Sequence, residues 1–84
     1  MYVHIGKDVV INSENIIAIL DISSLGKNKN NLEEVLQKFK ISDNIIDVSD
    51  ENKKSLIILN NNSAYITNIS SVTIAKRASN KKQK

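Results

Sequence analysis

The sequence predicts a small α+β domain, mostly antiparallel, with about six short strands, one amphipathic helix and a short C-terminal helix. Short apolar runs recur along the chain between clusters of Asn, Ser and Asp, which is the punctuation of strands and turns. One segment breaks that habit: Leu32, Val35, Leu36 and Phe39 fall at i, i+3, i+4 and i+7, the stripe of a helix. With 84 residues and no Cys or Pro, the chain holds one thin core without covalent staples.

From the N-terminus, Tyr2 to Ile5 alternates, with Val3 and Ile5 on one face and Tyr2 and His4 on the other. Gly6-Lys7-Asp8 reads as a tight turn into Asp8-Val9-Val10-Ile11, making a hairpin in which Gly6 supplies a positive φ. Asn12 to Asn15 is a polar connector with the look of a helical turn. Ile16 to Ile22 is apolar on both faces, which predicts a strand at the centre of a sheet. Ser23 to Asn31, with Gly26 and several Asn, is a loop by composition, and Asn30 or Asn31 is placed to N-cap the helix that follows.

On that helix Glu34 and Lys38 pair at i,i+4 on the outer face, so the apolar stripe covers one face of the sheet. Ile45 to Val48, Leu56 to Leu59 and Ala64 to Thr67 read as three strands joined as a meander. Ser70-Ser71 then caps a terminal helix carrying Val72, Ile74, Ala75 and Ala78. Residues 1–78 thus form a single domain, and residues 79–84 form a basic, disordered tail. With one good helix for two apolar sheet faces, a subunit partner is the expected cover for the remainder.

Charge is unevenly distributed. Residues 1–75 carry a net −2, whereas Lys76, Arg77, Lys81, Lys82 and Lys84 give the last nine residues +5. Such a tail suits phosphate neutralisation, and it equally suits a solubilising terminus. The chain has 14 Ile, 12 Asn and 11 Lys but one Arg, an A+T-rich codon bias that discourages weight on any single Lys or Asn.

Function classes narrow by elimination. Absent Cys and a solitary His4 argue against thiol catalysis, cysteine zinc sites and a histidine triad, so no enzyme, metal or small-molecule cofactor is expected. Asp8, Asp21 and Asp47 adjoin apolar strands, yet nothing in their spacing marks an acid/base pair. Tyr2, Phe39 and Tyr65 are too few for a base-stacking platform and read as core or interface residues. No apolar run approaches the roughly 20 residues that span a bilayer, and the N-terminus lacks a signal-peptide layout. A cytoplasmic location, without membrane association, is expected.

Two basic groups stand out. Lys53 and Lys54, at a loop–strand junction, project together toward a phosphate backbone, or else form a solvated turn with local partners such as Asp50 and Glu51. Lys76 and Arg77, in the last turn of the terminal helix, suit its dipole. As the lone Arg, Arg77 suits either a packing or interface role or a phosphate contact. His4 reads as a hydrogen-bonded strand residue or as a pH-sensitive contact between subunits.

Met1 to Val10, Ile16-Ile17-Ala18-Ile19-Leu20-Asp21 and Ser70 to Ala78 together resemble the RemB-like branch of the Rem extracellular-matrix regulators. The similarity runs in order from Met1 to about Ala78 and rests on the combined pattern. It implies a cytoplasmic regulator of biofilm-matrix genes. The sister RemA-like branch implies a fold similar to the LytTR type, assembled as a homo-oligomeric ring whose rim contacts duplex DNA without a cofactor. Where that branch has two Arg before the strand, this chain has Lys53 and Lys54, which keep the charge and lose the bidentate fork. The expectation is an oligomeric, duplex-DNA-binding transcriptional regulator with Lys53 and Lys54 as loop contacts and Lys76 and Arg77 as secondary ones. The rival reading is an oligomeric structural or adaptor protein that binds another protein.

Overall fold

The computed structural model describes residues 1–25, 29–50 and 52–79. Along the chain lie β1 (Tyr2–Gly6), β2 (Val9–Asn12), β3 (Ile16–Asp21), α1 (Lys29–Lys38), β4 (Ile45–Asp47), β5 (Ser55–Leu59), β6 (Ala64–Thr67) and α2 (Ser71–Ser79), with 3-10 turns at Ser13–Asn15 and Ile22–Leu25. It is the small, mostly antiparallel α+β domain the sequence predicts.

Every residue of β5 is buried, and this strand organises the rest. Its alternate side chains serve two cores. Ile57 and Leu59 face the β1–β2 hairpin and α2, where Val3, Ile5, Ile11 and Ile74 close around them. Leu56 and Ile58 face α1, whose Leu32, Val35, Leu36 and Phe39 form the predicted stripe. The second face is therefore covered by the chain's own hairpin and terminal helix. Large apolar residues left exposed include Tyr2, Val10, Ile17, Ile46 and Val72.

Two topological expectations are corrected. The four-stranded sheet has the order β3-β5-β6-β4, so β3 is an edge strand and β5 holds the centre. β3 is apolar on both faces because both faces are roofed, which an edge strand shares with a central one; its Ile17 lies at a register shift and is 53% exposed. The last three strands are no meander. β5 and β6 form an antiparallel hairpin, but β4 lies on the far side of β6 and parallel to it, Ile45 opposite Ala64 and Asp47 opposite Ile66.

Local caps follow ordinary rules. Asn12 accepts from the Glu14 N–H at 3.0 Å and starts the predicted turn. Helix α1 begins at Lys29, which puts Asn30 and Asn31 in its first turn and not at the N-cap. Residues 26–28 of the expected loop lie outside the described residues. At the other end Lys40 adopts φ 59°, and the Ile41 N–H reaches Leu36 O at 2.9 Å while the Lys40 N–H reaches Gln37 O at 3.0 Å, a Schellman closure made without glycine. Ser70 N-caps α2 by accepting from the Thr73 N–H at 3.2 Å. The tail positions Lys81, Lys82 and Lys84 lie outside the described residues.

Candidate functional site

Chain ends of several strands converge at one end of the domain. Lys54 is tied on both sides of its backbone: its N–H donates to Thr67 O and its carbonyl accepts from the Ile22 N–H, each at 2.9 Å. Ser55 follows, fully buried, and its hydroxyl donates to Ile69 O at 2.6 Å. The loop leaving β4 is held as well, because the Val48 N–H donates to Ile66 O at 2.8 Å. Lys54 thus projects as an exposed side chain from an anchored backbone, with the exposed Lys53 just before it.

Their electrostatics differ. Lys53 Nζ lies 3.2 Å from Asp47 Oδ2, a pair whose side chains are 52% and 41% exposed and hence worth at most about 1 kcal/mol. Asp47 Oδ1 accepts from the Ser49 hydroxyl at 2.5 Å and the Ser49 N–H at 2.9 Å. The Ser49 hydroxyl is the largest influence holding the Asp47 carboxyl below its ordinary range; the Ser49 N–H and the Lys53 ammonium add to it and burial opposes it. The partner of Lys53 is therefore Asp47 at the end of β4, not Asp50; Glu51 lies outside the described residues. Lys54 makes no ion pair among the described residues and lines an open polar cleft of about 430 Å³ with Asp50, Asn52 and Asn68.

Lys7 joins this end, which the sequence reading missed. Gly6, at φ 140°, packs so closely that an added Cβ meets Thr67 Oγ1 and Val48 Cγ2, both at 3.0 Å. That approach docks the β1–β2 turn onto the ends of β4 and β6, and carries the exposed Lys7, at φ 46°, to the side of the domain that holds Lys53 and Lys54. Gly6 was legible as a turn residue; its contact with two distant strands had no local signal.

Lys76 and Arg77 form a separate group in the last turn of α2, roughly 10 Å along the helix from its Ser70 cap at 1.5 Å per residue. Arg77 Nη1 donates to His4 O at 2.8 Å, fastening α2 to β1, while Lys76 is exposed. The imidazole of His4 is exposed, and its Nε2 donates to the Lys7 carbonyl across the hairpin turn. Of the carboxylates considered for acid/base work, Asp8 is exposed in that turn, Asp21 accepts from the Ser23 N–H and hydroxyl, and Asp47 serves Ser49 and Lys53. No helix among the described residues is long and apolar enough to cross a membrane.

Fold and site together define a class: a small α+β domain with both sheet faces covered and a polar, lysine-bearing end built from anchored loops. The family model described as RemA-like, extracellular matrix regulatory protein A-like, matches residues 2–78, and the chain belongs to this family. Comparison with curated proteins gives no match.

Proposed function

We propose that this protein is a non-enzymatic, homo-oligomeric regulator of extracellular-matrix genes that acts in the cytoplasm by binding duplex DNA, mainly through phosphate contacts. The family's description supports the regulatory part. The observation that carries the DNA part is the anchored Lys54, whose backbone is bonded on both sides while its ammonium stays unpaired among the described residues. Lys53 and Lys7 flank it, and Lys76 and Arg77 form a second, weaker group. Placement on the RemB-like branch belongs to the same proposal, since Lys53 and Lys54 stand where the RemA pattern has arginines.

Affinity built on phosphates falls with salt, its logarithm changing by about 0.9 per contact for each logarithmic unit of salt. Light-scattering mass, alone and with an A+T-rich duplex at low and moderate salt, tests the reading. A multisubunit particle that takes up duplex at low salt and releases it at moderate salt is the expected result. Loss of uptake in Lys53→Glu and Lys54→Glu assigns it to this loop, and a particle that ignores duplex at every salt overturns it.

The second reading is an adaptor whose oligomer binds another protein. It is favoured by the Asp47 carboxylate beside Lys53 and by exposed Tyr2, Val10 and Val72. An adaptor retains its partner in the Lys53→Glu and Lys54→Glu variants.

A further inference from the structure

Asp50, Asn52, Lys54 and Asn68 line one open cleft, and none of the four side chains has a hydrogen bond or ion pair among the described residues. Several other short polar side chains are bonded locally: Asn12 caps a turn, Asn62 donates to Phe39 O, and Ser49, Ser55, Ser63 and Ser70 are all bonded. The Lys54 and Asn68 part of the cleft is fixed even so. Lys54 is bonded on both sides, and Asn68 stands between Thr67, whose hydroxyl accepts from the Ile69 N–H at 3.1 Å, and Ile69, whose carbonyl accepts from Ser55. Two amides, one carboxylate and one ammonium thus line the cleft, Lys54 and Asn68 of them on bonded backbone, an arrangement suited to reading a polar ligand edge.

We infer that Asn52 and Asn68 read adenine edges of a duplex whose backbone Lys54 anchors, so that this cleft gives the protein sequence preference. The inference rests on the duplex-binding reading above. A side-chain amide offers one donor face and one acceptor face, which matches adenine N7 and its N6 amino group in the major groove. Asp50 is acceptor-only and takes an amino hydrogen from adenine N6 or cytosine N4 alike, so the A·T preference is carried by the two amides. Lys54, a flexible point charge, serves every sequence alike.

The test is selection from a duplex pool with a randomised central segment, followed by affinity measurements on the selected duplex and on versions with A·T replaced by G·C. Wild type is expected to enrich A·T at defined positions. Asn52→Ala and Asn68→Ala should each lose about tenfold of the preference at one position, with the salt slope kept. Lys54→Gln should weaken all duplexes together and lower the slope by about one unit. Thermal melts of the two Asn variants should match wild type, because neither amide is bonded among the described residues. If wild type binds duplex at low salt with no base preference, or if both Asn variants keep the wild-type preference, this inference fails and the duplex-binding reading stands. Absence of any binding by wild type at low salt overturns both.

Discussion

Arg77 and His4, 73 residues apart, are joined by a 2.8 Å hydrogen bond from the guanidinium to the main-chain carbonyl. The bond clamps the last turn of α2 onto β1, beside the Ile74 contact with Val3 and Ile5. Arg77 therefore has a structural task whether or not it also meets a phosphate. Arg77→Ala is expected to lower stability by about 1 kcal/mol, below the usual range for charged hydrogen bonds because the site is exposed to water. Urea unfolding checks this, and an unchanged midpoint combined with lost DNA binding would reverse the assignment.

Gly6→Ala should be far more damaging. At φ 140° an L side chain is strained, and its Cβ would press on Thr67 Oγ1 and Val48 Cγ2 at 3.0 Å. Thr67 is fully buried and Val48 nearly so, which leaves little room to yield. A loss of about 2–4 kcal/mol follows, or a fall of more than about 10 °C in Tm for a domain of this size. A Tm within a few degrees of wild type would show that the hairpin turn can lift off the sheet end at little cost.

Periodicity made the helix legible, and covering layers hid the strand order. The stripe Leu32, Val35, Leu36, Phe39 specifies α1 and its buried face because a 3.6-residue repeat is a local signal. Apolar residues on both faces of Ile16–Asp21 report that both faces are covered, which says nothing about neighbours on either side; hence an edge strand read as a central one. The crossover of β4 to the far side of β6 likewise leaves no trace in short apolar runs. Lys53 and Lys54 were visible as a charged pair, but the Asp47 partner was not, since strand pairing and not sequence proximity brings it to Lys53.

Asp47 links stability to pH with a definite sign. Its carboxyl is held below the ordinary value, first by the Ser49 hydroxyl and further by the Ser49 N–H and Lys53. A depressed folded-state value means the unfolded chain binds the proton more readily, so the contribution is complete above the unfolded value near about 3.9 and is lost as pH falls through the folded value. The urea midpoint of wild type should exceed that of Asp47→Ala at neutral pH, with the gap closing below about pH 4. The same variant releases Lys53 and should strengthen duplex binding at low salt by roughly twofold to fivefold, the equivalent of an exposed ion pair. Weaker binding in Asp47→Ala would show that the carboxylate positions Lys53 instead of restraining it.

Lys7 is the residue whose role depends most on tertiary structure. In sequence it is the middle of a hairpin turn, 46 positions before Lys53, and nothing local connects them. Gly6 makes the connection by seating that turn against Val48, beside the Asp47–Lys53 pair, and Thr67, which is bonded to Lys54. The Lys7 main chain stays bonded through its carbonyl to His4, while its exposed ammonium has no partner among the described residues. Lys7→Gln keeps the backbone bond and removes only the charge and one methylene of an exposed side chain, so stability should hold within about 0.5 kcal/mol of wild type. If the three lysines share one phosphate-binding end, the substitution lowers the salt slope of duplex binding by about one unit, as does Lys54→Gln. The double variant should lower it by about two, because separate phosphate contacts release separate counterions. A slope unchanged in Lys7→Gln would confine the interface to the 53–54 loop and leave the docked hairpin turn a purely structural element.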